Sequence, residues 1–249
     1  MPELQEHDRV GLAVHNNAVW CDTVCRAHGH AGEFLSGIWI NRYAAPQFYP
    51  NAVTLAADPA ADQLAAIRSL MAADIPGAWA VKDSFAALDL TPLGFRGLFE
   101  ASWLWRSGEP LQIEAERDDL RWSRIGSATE LAAWETAWRG EPSDDPYDRI
   151  FLPALLADES IVILAAYRDE RIVAGAIANR TGQVVGLSNV FVPAQDAQRL
   201  RAGCVAAVQR RFPGLPLVGY ESGDELAAFR ALGFEELGPL RIWARKHAG

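Results

Sequence analysis

The stretch Gln183-Val-Val-Gly-Leu-Ser-Asn-Val-Phe-Val-Pro193, followed by Asp196-Ala-Gln-Arg-Leu-Arg-Ala-Gly-Cys-Val-Ala-Ala-Val-Gln-Arg-Arg-Phe212, decides how this chain is read. Its first part is a near-continuous apolar run, the pattern of a strand buried on both faces, and Pro193 ends it because proline has no N–H for a ladder. The second part places Leu200, Cys204, Val208 and Phe212 at four-residue spacing, a helical stripe, with Arg199, Gln209 and Arg210 expected to turn away from it. Asp196 is positioned as an N-cap, and Pro213-Gly214 stops the helix. A strand that feeds a helix N-terminus can present free backbone N–H groups to an anion.

Outward from this unit, Ile161 to Tyr167 and Ile172 to Asn179 read as a hairpin turning at Arg168-Asp-Glu-Arg171. Beyond it come a strand Leu215 to Tyr220, a helix Asp224 to Leu232 and a closing strand Gly238 to Arg245. Upstream, Leu120 to Ile125 reads as a strand, Thr129 to Trp138 as a helix and Phe151 to Leu156 as a helical turn. The first half suggests a strand at Val10 to Val14 and a helix capped at Asn16-Asn17 and running to Ala27. Strands follow at Ile38 to Ile40, Ala52 to Ala56, Gly77 to Val81 and Gly97 to Trp105, with helices at Asp62 to Ala73 and Ser84 to Leu90. Arg106 to Asp119 is polar and acidic, which sets a linker at 107–119 between a lobe at 1–106 and a lobe at 120–249.

The halves echo each other. Leu93-Gly94-Phe95 precedes a strand ending Trp103-Leu104-Trp105-Arg106, and Leu232-Gly233-Phe234 precedes one ending Ile242-Trp243-Ala244-Arg245. Leu-Gly-Phe is by itself a common helix ending, since glycine readily takes the left-handed conformation there. The matching order of elements before each copy argues for a duplicated α/β fold whose first copy lacks the long hairpin of the second.

Composition narrows the function classes. A formal net charge of -9 and the lack of a basic run argue against nucleic acid or an anionic membrane surface as partner. No apolar run reaches membrane-spanning length, and Met1 to Arg9 lacks the features of a signal peptide. Three cysteines, Cys21, Cys25 and Cys204, form no disulfide framework, so the expected compartment is a reducing cytoplasm.

From Leu120 to Arg245 the order of elements resembles the GNAT superfamily of acyl-CoA-dependent N-acyltransferases. The hairpin, the strand with Pro193, the following helix and Ser222-Gly-Asp-Glu-Leu-Ala-Ala-Phe-Arg-Ala-Leu-Gly-Phe234 carry the likeness. That last segment is similar to the family's late helix, Asn-x-x-Ala-x-x-Leu-Tyr-x-x-Leu-Gly-Phe. The resemblance implies two lobes with mixed, mostly antiparallel sheets whose central strands splay to admit an acyl-CoA thioester. It implies transfer of an acetyl or other acyl group from acyl-CoA to the amine of a small molecule or peptide, with no metal. It would set Asn189, Val190, Phe191 and Val192 along the pantetheine arm, and Gln195, Asp196, Ala197, Gln198, Arg199 and Arg201 at the pyrophosphate.

Two departures from the pattern matter. The family's pyrophosphate loop, Arg/Gln-x-x-Gly-x-Gly/Ala, uses glycine for close backbone approach. Here Gln195 to Leu200 contains none, Gly203 comes a turn late, and Asp196 adds negative charge that Arg199 and Arg201 would have to offset. The family's frequent tyrosine acid is Phe229, so Tyr220, Ser222 and Glu221 stand as substitutes, Glu221 as base. A non-catalytic relative that binds a small ligand or protein partner is the rival reading.

Other constellations are weaker. Cys21, Cys25, His28 and His30 do not match a standard zinc spacing, and ordinary helix-face thiols and surface histidines account for them better. Most of the nine tryptophans are expected in the core or between the halves. The aromatic segment Trp39 to Tyr49 reads as a wrapping loop that can also face a ligand. Acceptor substrate and the choice between monomer and homodimer are left open.

Overall fold

A computed structural model describes residues 5–58, 60–112, 120–141 and 148–245. Helix α1 (Glu6–Ala27) is followed by β1 (Glu33–Leu35), β2 (Ile38–Ile40), β3 (Ala52–Thr54), α2 (Ala60–Ala72), β4 (Trp79–Asp83) and β5 (Arg96–Arg106). The second half contains β6 (Arg121–Arg124), α3 (Ala128–Arg139), β7 (Ile161–Arg168), β8 (Arg171–Thr181), β9 (Val184–Phe191), α4 (Ala197–Arg211), β10 (Leu217–Glu221), α5 (Gly223–Ala231) and β11 (Glu235–Arg245).

The described strands form one sheet in the order β1-β2-β3-β4-β11-β5-β10-β9-β8-β7-β6. Each half contributes a hairpin, then a parallel pair joined by a crossover helix: β3 and β4 through α2, β9 and β10 through α4. The other neighbours are antiparallel. The closing strands are exchanged between the halves. The first half's β5 pairs with β10, the second half's β11 pairs with β4, and β5 and β11 pair with each other at the centre.

The repeat in sequence corresponds to this symmetry. Gly94 and Gly233 both adopt the left-handed conformation, with φ of 80° and 82°. The N–H of Phe95 returns to Leu90 O and that of Phe234 to Phe229 O, so both Leu-Gly-Phe segments close the preceding turn in the same way. Arg106, at the end of β5, donates from Nε to Leu232 O at the end of α5, which satisfies a carbonyl at the other half's helix terminus.

Helix α1 lies against the sheet where the halves meet, and α4 packs on β7, β8 and β9. Leu200, Cys204, Val208 and Phe212 are buried in one cluster with Val162, Val185 and Leu217, as the four-residue spacing predicts. Large rings fill the rest: Trp39, Trp103 and Trp134 are almost fully enclosed, and the indole N–H of Trp134 donates to Leu164 O.

Several local expectations are corrected. Val10 to Val14 is part of α1, because Asn16 and Asn17 do not cap a helix but make tertiary bonds from its middle. Ser84 to Leu90 is not helical. Asp83 accepts from the N–H groups of Ala87 and Leu88, Ser84 O accepts from Trp103 Nε1, and this side-chain bonding holds a turn in place of a helical ladder. Gln209 faces inward, accepting from Leu111 N–H and donating to Glu109 O. The first half retains a short hairpin in which β2 is the expected strand Ile38 to Ile40, while β1, only three exposed residues long, carries no apolar alternation to mark it.

Asn16 and Asn179 bond reciprocally, Nδ2 of Asn16 to Asn179 O at 3.0 Å and Nδ2 of Asn179 to Asn16 O at 3.4 Å. Their Oδ1 atoms occupy the space a Cβ on Gly186 would need. Gly186→Ala is therefore expected to lower stability by about 1–3 kcal/mol through overpacking. An unchanged midpoint in urea unfolding would show that this helix-to-sheet clamp does not constrain the fold.

Candidate active site

Strands β9 and β10 are paired only at Leu217↔Val185 and Val218↔Gly186, after which the ladder ends although β9 continues to Phe191 and β10 to Glu221. The strands part at their carboxyl ends. On its other edge β9 stays attached to β8 through a bulge, where Gly175↔Phe191 and Ile177↔Ser188 enclose one residue on β8 and two on β9. Asn189 lies in that bulge with φ 52°, a left-handed conformation that asparagine tolerates better than bulkier residues. The bulge bends β9 away from β10.

A cavity of ≈ 290 Å³ occupies the opening, lined by Gly186 to Val190 of β9 and Val218 to Glu221 of β10. Helix α1 contributes Asn16, Asn17, Trp20 and Cys21, and β4 of the first half contributes Lys82. Phe48, Tyr49 and Pro50 form part of the wall. Phe48 is 72% exposed at φ 70°, an unusual conformation for a bulky residue, with its ring edge-on to Trp138. The aromatic loop thus divides: Trp39 is core, Tyr43 stacks on His30, and its last residues reach the cavity.

Tyr220 and Glu221 are consecutive on β10, so their side chains leave the strand on opposite faces. Tyr220 packs edge-on against Trp103, and its hydroxyl accepts from Lys82 Nζ at 3.2 Å. Glu221 lies on the side of Arg201 and Glu225. Burial, and secondly the charge of Glu225, push its carboxyl from the ordinary 4.5 to about 7, against the opposing pull of Arg201. A carboxylate titrating near neutrality suits proton transfer from an amine. Ser222 is the exposed N-cap of α5 and lies outside the cavity, as does Phe229, which is buried edge-on to Phe234.

At the start of α4, Gln195, Asp196 and Gln198 are exposed, while Ala197 and Arg199 are half-buried. Asp196 occupies the N-cap position in a left-handed conformation, φ 67°, without a side-chain cap bond. Its carboxylate instead accepts from Arg168 at 3.2 Å and Arg199 at 3.3 Å, which hold it below the usual carboxylate range, Arg168 contributing most. Both guanidiniums thus stand beside the helix N-terminus. Arg201 is engaged elsewhere, donating from Nε and Nη2 to both oxygens of Glu225 at 2.9 and 2.6 Å. Arg168 was not singled out in the sequence because its tetrapeptide reads as a plain hairpin turn, and Lys82 was not because it lies in the other half. The approach of an otherwise unremarkable lysine from 138 residues away leaves no local signal.

Cys21, Cys25 and Cys204 are buried free thiols. His28 Nε2 bonds to Ile150 O, which gives that imidazole a structural partner. No helix among the described residues is long and apolar enough to cross a membrane.

No family model matches the sequence, and no curated protein matches it at the sequence level. Solved structures do. A GCN5-related N-acetyltransferase from Kribbella flavida superposes with a TM-score of 0.61 at 13% identity, covering 95% of this chain and 96% of that one. A tandem GNAT protein from the clavulanic acid biosynthesis pathway gives 0.55 at 15% identity, over 85% and 79%. A functionally unknown conserved protein from Staphylococcus epidermidis gives 0.59 at 12% identity, over 84% of each chain. The chain has the GNAT fold, two lobes in tandem. At such identities the likeness concerns the fold, and function resides in the site.

Proposed function

We propose that the chain transfers an acyl group from acyl-CoA to an amine, using the opening between β9 and β10. The observation that carries this reading is the splayed parallel pair with Glu221, a carboxyl shifted to about 7, at its mouth. The edge of β9 that faces β10, unpaired from Leu187 to Phe191, offers backbone groups to a pantetheine arm, and Val192 follows it. The N–H groups at the start of α4, with Arg168 and Arg199 beside them, suit the pyrophosphate. The nitrogen of the amine attacks the thioester carbonyl, a C–N bond forms and the C–S bond breaks. Glu221 accepts the proton released by nitrogen, backbone N–H groups stabilise the oxyanion, and Tyr220 donates a proton to the departing thiolate. The three free thiols suit a reducing cytoplasm.

The test is release of free thiol from acetyl-CoA in the presence of a panel of small amines, with Glu221→Gln as control. Amine-dependent release that the control lacks supports the reading. Tight CoA binding with no release for any amine, at any pH between 6 and 9, would favour the rival non-catalytic role.

A further inference from the structure

The cavity contains a charge that its protein neighbours do not neutralise. Lys82 is 3% exposed, and its ammonium donates to Asn17 Oδ1 at 2.7 Å and Tyr220 OH at 3.2 Å, both neutral acceptors. It also sits 4.3 Å from the centre of the Tyr220 ring, a favourable but neutral contact. Among the described residues it forms no ion pair. Cys21 lines the same cavity, but burial pushes its thiol up, so it remains neutral. An ammonium has three donors, and two are used. A buried cation without a counter-ion is costly to keep, whereas one that meets an anion from a ligand becomes a strong and selective contact.

The surroundings suit a carboxylate. Ser188, also in the lining, has a buried Oγ without a hydrogen-bond partner. The amide of Asn17 orients the ammonium, and Tyr220 closes one side of it. The carboxylate among the lining residues is Glu221, which leaves β10 on the opposite face from Tyr220 and Lys82. Lys82 therefore attracts an anion into the cavity, while the proton acceptor of the acyl-transfer reading, Glu221, stands on the other face of β10.

We propose that Lys82 anchors a carboxylate of the acceptor, so that the acceptor is a small amino carboxylate and not a simple amine. This rests on the acyl-transfer reading for its catalytic sense, but the binding preference can be measured without it. The lysine comes from the first lobe, which makes that lobe a contributor to acceptor recognition.

The experiment compares binding of glycine with methylamine, β-alanine with ethylamine and γ-aminobutyrate with propylamine, by calorimetry on the full chain, with and without saturating CoA. The wild type is expected to bind at least one amino acid about tenfold or more tighter than its matched amine. In Lys82→Met that ratio should fall to within about twofold, while Lys82→Arg should retain part of it. Asn17→Asp places a carboxylate against Lys82 and should abolish the preference in the same way, independently of any packing loss in Lys82→Met. Because the readout is a ratio, effects of Lys82 on the Tyr220 hydroxyl cancel. A wild type that does not prefer the carboxylated partners, or a preference unchanged in Lys82→Met and Asn17→Asp, overturns the proposal. Absence of CoA binding in the same samples would instead remove the acyl-transfer reading and leave the Lys82 result to stand or fall by itself.

Discussion

Replacing Glu221 by glutamine is expected to lower kcat/KM for acyl transfer by a factor of about 10²–10⁴, the usual range for a general base. In the wild type, kcat/KM should rise with pH to a plateau above about 7, because the carboxyl must lose its proton before it can take one from the amine. The glutamine variant should lose that limb. The same substitution has an opposite effect on stability, and the sign follows from linkage. The carboxyl titrates at about 7 when folded and near 4.5 when unfolded, so between those values the native state holds more protons. Stability then falls as pH rises through that window, by about 3 kcal/mol once both states are ionised. Glu221→Gln should therefore be more stable than wild type at pH 8, by roughly that amount at most, and similar to it at pH 4. A variant with full activity would show that Glu221 is not the base, and unchanged stability at pH 8 would show that its carboxyl is not held above the ordinary range.

Residues 120–249 expressed alone are expected not to fold cooperatively. In the intact chain β5 is inserted between β10 and β11, so this fragment loses the strand that joins its own last two. It would expose surfaces otherwise covered by Trp103, Leu104 and Trp105, each buried in the whole protein. At about 2–3 kcal/mol for each large apolar side chain, that loss is comparable to the total stability of a typical domain. Co-expression of 1–112 with 120–249 should restore a folded complex, since the exchanged strands and their ladders are then all present. A sharp thermal transition and a monomeric, soluble 120–249 fragment would contradict this and would favour two lobes that fold as separate units.

The legibility of the fold in the sequence depends on the distance over which each feature is specified. The run Val184 to Phe191 and the stripe Leu200, Cys204, Val208, Phe212 are local periodicities, and both elements lie where they predict. The two Leu-Gly-Phe segments share a left-handed glycine and the same return hydrogen bond, so the repeat was visible in the residues themselves. The exchange of β5 and β11 was not visible, because a closing strand carries the same apolar alternation whichever lobe it joins. Asn16 and Asn17 illustrate the reverse: their strong capping preference reads as a helix start, yet their partners are Asn179 and Lys82, far along the chain.

At the site, Tyr220 and Glu221 could be selected because they end a strand, and Asn189 because the resemblance sets it along the pantetheine arm. Their chemistry was not legible in the same way. The shifted carboxyl of Glu221 depends on burial and on Glu225 one turn into α5. Arg201 was an obvious candidate for a phosphate from its position, but its guanidinium is committed to Glu225. Arg168 reaches the start of α4 only because the hairpin folds β7 back beside it.

The most direct measurement of the central claim is calorimetric titration of the purified chain with acetyl-CoA and with CoA, repeated on an Arg168→Ala, Arg199→Ala double variant. Saturable binding in the micromolar range is predicted, weakened about tenfold or more when both guanidiniums are removed. No heat and no thermal stabilisation by either ligand would contradict the assignment of the β9–β10 opening as an acyl-CoA site.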